Sequence, residues 1–142
     1  MNRKTKTINR IREFNRFYTV MLGMLNRNFL HSEYSVTETR ILFEIKTNEG
    51  CSANDIINTL KIDKSYLSRI INSFIKNQLI TKDVLPEDRR AFEIRLTDKG
   101  HKTVDALVAK TNEQIREYVD SLNDSECDEI CAAMDTITKY FQ

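Results

Sequence analysis

The chain has 142 residues, enough for one domain with a core of its own, or for such a domain plus a dimerisation arm. Its formal net charge of +1 hides a polarised distribution: residues 1–30 carry seven basic side chains against Glu13 alone, and residues 98–142 carry ten acidic against five basic. One Pro and three Gly suit a mostly helical chain, an odd count of three Cys argues against a disulfide framework, and the lack of a long apolar run argues against a membrane span or a secretory signal, so a cytoplasmic protein is expected.

From Ile8 onward, Ile11, Phe14, Tyr18, Met21, Leu22, Leu25 and Phe29 recur every three or four residues, which predicts a long amphipathic helix over 8–29. Its basic cluster reads equally well as a solvated face. Ser35 with Glu38 three residues later is a capping-box pattern and opens a helix through Ile41, Leu42 and Ile45, with Gly50 just past its end. Ser52 starts a short helix in which Asp55 suits the positive end and Ile56, Ile57 and Leu60 face inward. Lys61, Ile62 and Asp63 form a three-residue turn. Asp63 caps the next helix, and Ile62 and Leu67 flank that cap as a hydrophobic staple. Two short helices joined this way make a helix-turn-helix, here without the Gly that often sits in the turn.

The helix over 64–77 has two unlike faces. Leu67, Ile70, Ile71, Phe74 and Ile75 make an apolar stripe. Opposite lie Ser65, Ser68, Arg69, Asn72 and Lys76, with Lys64 at the start and no acidic residue among them. Arg can pair bidentately with guanine and Asn with adenine, while Ser can donate to bases or phosphates. Ile80 to Leu85 then pairs with a strand in which Phe92, Ile94 and Leu96 alternate with polar residues, and residues 86–90 form the loop between them. Arg89 and Arg90 at that tip suit phosphate or the minor groove, and Asp88 is placed to pair with one of them and orient it. Almost no linker separates helix from hairpin, so the two share one face. Thr97 caps a second long helix over 98–122, roughly 37 Å long at ~1.5 Å per residue, along which Val104, Val108, Thr111, Ile115, Tyr118 and Leu122 line one side. Ser125 caps a last helix bearing Cys127, Ile130, Cys131, Met134, Ile137 and Phe141, with Glu126, Asp128 and Glu129 in its first turn.

Residues 35–100 resemble the winged helix-turn-helix of the MarR family (multiple antibiotic resistance regulators). The resemblance is carried by Ser65-x-Leu67-Ser68-Arg69-Ile70-Ile71, Leu79-Ile80, Asp88-Arg89-Arg90 and Leu96-Thr97-x-x-Gly100. Long flanking helices extend it over nearly the whole chain, and Gln78 stands where the family usually has Gly. The fold expected is mainly α with a small β-hairpin wing. Residues 1–34 and 98–142 would be dimerisation helices around a DNA-binding region at 35–97, all forming one structural unit.

The resemblance implies an obligate homodimer that regulates transcription by binding double-stranded DNA at a pseudo-palindromic operator, with Arg89 and Arg90 at the minor groove. It also implies a small, often aromatic or anionic effector between dimer arm and winged region, where Phe14, Tyr18, Leu22, Arg40 and Phe43 could line a cleft. The expected base-edge contacts are Ser65, Ser68, Arg69 and Asn72, with Lys64 and Lys76 on phosphates. The alternative from another class is a winged-helix adaptor module that binds proteins and has no operator of its own. No cofactor is expected. His31 and His101 stand apart from any Cys-x-x-Cys, which argues against zinc. No phosphate loop or hydrolase motif supports an enzyme. Cys51, Cys127 and Cys131 read first as small buried hydrophobes and only second as redox groups.

Overall fold

A computed structural model describes residues 1–27 and 33–142; the side chains of 24–27 and of Arg89 lie outside that description. The expectations placed on Leu25, Phe29, His31 and the Arg89 guanidinium therefore fall outside the described residues. The elements run α1 (Arg3–Arg27), α2 (Val36–Thr47), α3 (Ala53–Leu60), α4 (Lys64–Lys76), β1 (Ile80–Leu85), β2 (Asp88–Leu96), α5 (Asp98–Val119) and α6 (Asp124–Phe141). They fall into two compact units, residues 1–108 and 109–142.

The first unit gathers its core around the helix-turn-helix. Ile41, Leu42 and Ile45 of α2, Ile56 of α3, and Leu67, Ile70, Ile71 and Phe74 of α4 are buried together with Leu79, Ile80, Ile94, Leu96, Val104 and Leu107. No polar side chain is buried among the described residues. Each short helix begins on a side-chain cap. Ser35 Oγ accepts from the Glu38 N–H and Glu38 Oε1 accepts from the Ser35 N–H, both at 3.2 Å. Ser52 and Asp55 repeat this reciprocal box at 3.2 and 2.8 Å. Asp63 Oδ2 accepts from the Tyr66 N–H at 3.0 Å. These caps satisfy backbone donors that the helices leave without intrahelical partners. Ile62 is half-buried against the core beside the Asp63 cap, as the staple requires.

Two junctions use a left-handed backbone where Gly is common. Lys61 ends α3 at φ 54, and Gln78 follows α4 at φ 61. At the second, the Gln78 N–H donates to the Ile75 carbonyl at 3.0 Å and the Leu79 N–H to the Phe74 carbonyl at 2.9 Å. That pair of bonds is a Schellman motif, and Leu79 and Phe74 are both buried in the core cluster. It turns the chain straight from α4 into the wing.

The wing is antiparallel, with Ile80 opposite Leu96, Lys82 opposite Ile94 and Val84 opposite Phe92. Cys51 adds a one-residue bridge to Ile94, its carbonyl accepting the Ile94 N–H at 2.9 Å. The Leu96-to-Gly100 run latches the wing to α5. The Thr97 N–H donates to the Leu79 carbonyl at 3.0 Å, Thr97 Oγ1 reaches the Gln78 carbonyl at 2.6 Å, and the Gly100 N–H donates to Thr97 Oγ1 at 3.0 Å. A Cβ on Gly100 would lie 2.0 Å from the Leu79 oxygen, so only Gly fits there. The C-terminal end of α2 is tied to α5 by Lys46 with Asp105 and by His101 with Glu49 at 2.9 Å.

Several boundaries differ from expectation. Helix α1 starts at Arg3 rather than Ile8, and α5 stops at Val119 rather than 122. The cap of α6 is Asn123, not Ser125: its side chain accepts from the Glu126 N–H and Glu126 accepts from the Asn123 N–H, both at 2.9 Å. Asn caps as well as Ser, and this earlier position closes a reciprocal box, which places Asp124 and Glu126 in the first turn ahead of Asp128 and Glu129. Ile75 is 38% exposed, past the edge of the buried stripe in the last turn of α4. Leu107, absent from the predicted stripe of α5, is buried instead.

Candidate nucleic-acid interface

Helix α4 fixes the site because its apolar side is held on four buried residues. The opposite side is free: Lys64, Ser65, Ser68, Arg69, Asn72 and Lys76 are all exposed. Stepping about 100° per residue from the buried stripe puts Ser65 and Lys76 farthest outward, with Asn72 and Arg69 about 30° to either side. Lys64, Ser68 and Asn72 turn toward the wing. Tyr66, which the sequence reading did not single out, is 38% exposed on the other flank, and the Arg69 guanidinium carbon sits 5.9 Å from its ring centroid.

The wing turn is tighter than expected. Pro86 and Glu87 alone turn the chain, and β2 already begins at Asp88. The ladder then shifts register between the pairs Leu85 with Asp88 and Val84 with Phe92, leaving Arg89, Arg90 and Ala91 in an irregular stretch. Asp88 causes part of this: its Oδ1 accepts from the Arg90 backbone N–H at 3.0 Å. Asp and Asn favour such local bonds two residues on. Asp88 thus shapes the backbone beneath Arg90; pairing with the Arg89 guanidinium lies outside the described residues.

A groove of roughly 500 Å³ lies between α3, α4 and the wing. Lys64, Ser68 and Asn72 line it from α4, Asp88 and Arg90 from β2, and Lys82 from β1, with Ser52 and Asn54 at the start of α3. Leu67, Ile71, Phe92 and Ile94 also line it. Five of the residues singled out in the sequence therefore meet in one groove, whereas Ser65, Arg69 and Lys76 stand outside it on the outer face of α4. Lys82 and Asn54 were missed. Once the register is known, Lys82 stands out as a cation on the same face as Ile80, Ile94 and Leu96.

The residues suggested for an effector cleft are differently placed. Phe14 and Tyr18 stack on α1 with ring centroids 5.5 Å apart, and Leu22 is half-buried one turn on. Arg40 and Phe43 are exposed on α2, and none of the five lines the wing groove. Cys51 is buried, and burial, aided by the nearby Asp55 and Glu44 carboxylates, raises its thiol pKa, so its thiolate is disfavoured. Cys127 is half-buried and Cys131 exposed. Among the described residues no group of three or more His, Cys, Asp or Glu is gathered as metal ligands. None of the described helices is long and apolar enough to cross a membrane.

Comparison with known proteins places this geometry. Residues 34–92 match the model of the MarR family. The HTH-type transcriptional regulator BilQ of Clostridioides difficile (strain CD3) is 36% identical over 63 residues, a match spanning 44% of this chain and 43% of BilQ. The fold extends further than that match. The transcriptional regulator BldR from Sulfolobus solfataricus superposes with a TM-score of 0.78 at 14% identity, covering 99% of this chain and 100% of BldR. A mutant of S. aureus MepR bound to oligodeoxyribonucleotide gives a TM-score of 0.63 at 21% identity, covering 91% of this chain and 95% of MepR. The winged region at residues 34–92 is thus that of the MarR family of transcriptional regulators, and the fold of the whole chain is shared with solved winged helix-turn-helix regulators.

Proposed function

We propose that the protein is a homodimeric, sequence-specific regulator of transcription that binds double-stranded DNA at a pseudo-palindromic operator in the cytoplasm. The observation that carries this reading is the acid-free outer face of α4 set beside the cationic wing groove on one rigid core. A helix presented this way fits the major groove, and a hairpin beside it reaches the adjacent minor groove. The MepR relative bound to oligodeoxyribonucleotide shares the fold. In this reading Ser65 and Arg69 meet base edges, Lys76 holds phosphate, and Arg89 and Arg90 act at the minor groove. Asp88 sets the backbone that carries Arg90.

Dimerisation supplies a partner for apolar faces that would otherwise meet water. On α1, Ile8, Phe17 and Val20 are 57, 63 and 65% exposed; on α6, Met134, Tyr140 and Phe141 are 56, 73 and 69% exposed. Patches on this scale mark interaction sites in soluble proteins, and a two-fold pair of chains covers both. Release by a small aromatic or anionic effector is the gated form of the same function. Phe14, Tyr18, Leu22, Arg40 and Phe43 are its proposed contacts, acting by shifting the population of arrangements in which two α4 helices stand ~34 Å apart.

Selection of bound duplexes from a random pool tests the proposal. A palindromic consensus is the expected result. Enrichment of no sequence would sink it in favour of a protein-binding adaptor. On the selected site, Arg69→Ala should cost ~1–3 kcal/mol and relax preference at one base pair. Equal weakening on every sequence would move Arg69 to the phosphates.

A further inference from the structure

We propose that the groove between α4 and the wing seats the sugar–phosphate backbone of one DNA strand, with Lys82 as its anchor. Ser68 and Asn72 then serve that backbone rather than base edges. The inference rests on the DNA-binding reading above and assigns its contacts.

Lys82 is out of pattern. Its cross-strand partner is Ile94, and Ile80, Phe92 and Leu96 share its side of the hairpin. An apolar residue there would extend the core face, yet a lysine occupies it. Its ammonium sits 4.1 Å from the centroid of the Phe92 ring. A cation over an aromatic face is held without consuming its hydrogen-bond donors, so the ring positions the charge and leaves it able to bind an oxyanion. No carboxylate among the described residues forms an ion pair with it. Asp83 and Glu93 oppose each other on the other side of the hairpin, and Asp88, the one acid lining the groove, accepts the Arg90 backbone N–H.

The rest of the groove has the chemistry of a backbone cradle. Lys64 and Lys82 bring cations from two different elements, and Ser68 and Asn72 add neutral donors. Phe92 adds an apolar surface on which a deoxyribose can rest. Geometry supplies the occupant. With α4 in the major groove and the hairpin over the neighbouring minor groove, the strand that separates the two grooves must run between helix and wing. Contacts of this class fix register and carry no sequence information directly.

The test is binding of the full chain and of Lys82→Gln, Lys82→Arg, Asn72→Ala and Arg69→Ala to a selected duplex and to a scrambled duplex, titrated in rising salt. Lys82 is exposed, so folding of its variants is expected and is checked by circular dichroism. Lys82→Gln should weaken both duplexes by roughly tenfold and reduce the magnitude of the slope of log K against log salt by about 1.8, about 0.9 for each of the two Lys82 side chains of the dimer. Lys82→Arg should restore both. Asn72→Ala should weaken both duplexes alike, in contrast to Arg69→Ala, whose loss falls on the selected one. An unchanged salt slope in Lys82→Gln overturns the anchor, and a loss at Asn72 confined to the selected duplex overturns the cradle. If the wild-type chain shows no salt-dependent duplex binding, the DNA reading itself falls.

Discussion

At the scale of single residues, the wing is aimed by backbone geometry as much as by its arginines. Gln78 turns the chain from α4 into β1 at φ 61, and Lys61 turns it from α3 into α4 at φ 54. A side chain in the left-handed region crowds the following carbonyl, a cost of about 1–2 kcal/mol that Gly avoids. Gln78→Gly and Lys61→Gly should each raise stability to urea by about 0.5–1 kcal/mol, because greater freedom in the unfolded chain offsets part of the relief. A drop on either substitution would show that the Gln or Lys side chain contributes more than the strain removes. Gly100 is the opposite case. Gly100→Ala drives a Cβ to 2.0 Å from a carbonyl oxygen that already accepts from the Thr97 N–H. The latch must then open, and a loss of about 3 kcal/mol or more in the same urea assay is expected, at the upper end for a forced misfit. Near-wild-type stability would mean that the start of α5 shifts freely, which its bonds to Thr97 argue against.

At the scale of elements, the helices of the winged region were legible because local rules agree with packing there. The boxes at Ser35 and Ser52 and the Asp63 cap coincide with the first residues of apolar stripes, so chain-local chemistry and core burial name the same boundaries. Two capping choices competed ahead of α6, since Ser125 and Asn123 each have an acidic residue three positions later; which box closes depends on backbone geometry, and the sequence alone does not rank them. The wing turn was hidden for a related reason. A run of Pro, Glu, Asp, Arg and Arg reads as loop, but Asp88 bonds the Arg90 N–H and lets the ladder resume early. Lys82 was overlooked because a charge inside a strand reads as solvent-facing until the register is known.

The Asp55 box and the Lys46–Asp105 pair together make stability depend on pH. Bonds from Ser52 N–H and Oγ hold the Asp55 carboxyl below its usual pKa, and Lys46 does so for Asp105. A depressed folded pKa stabilises above the unfolded value near ~3.9 and loses that contribution as pH falls through the folded one. The urea midpoint of the wild type should therefore fall more steeply below about pH 4 than that of Asp55→Asn/Asp105→Asn. Parallel acid profiles would remove both carboxylates from the linkage.

At the scale of the whole molecule, the proposed pairing of two chains accounts for both the polarity of charge and the exposure of apolar surface. The first half of α1 is basic, with Arg3, Lys4, Lys6, Arg10, Arg12 and Arg16 against Glu13, while α6 is acidic, with Asp124, Glu126, Asp128, Glu129 and Asp135 against Lys139. Both helices leave large apolar side chains in water, and α6 buries none of its residues. A helix of 18 residues with no buried side chain has little tertiary packing to hold it, and packing of an apolar face is what stabilises most protein helices. Its stability is thus tied to whatever covers Ile130, Met134 and Ile137. Ile130→Asp/Met134→Asp places two further acids on that face, where burial in a dimer would force their desolvation. The wild type should sediment at twice the 16.7 kDa chain mass, and the double variant at the chain mass, with reduced helical signal and greatly weakened operator binding. Loss of binding follows because a lone chain presents one α4, and two linked reading heads gain affinity from the high effective concentration of the second. A wild type that sediments as a single chain, or a variant that stays paired, would separate α6 from dimerisation and leave its apolar face to another partner.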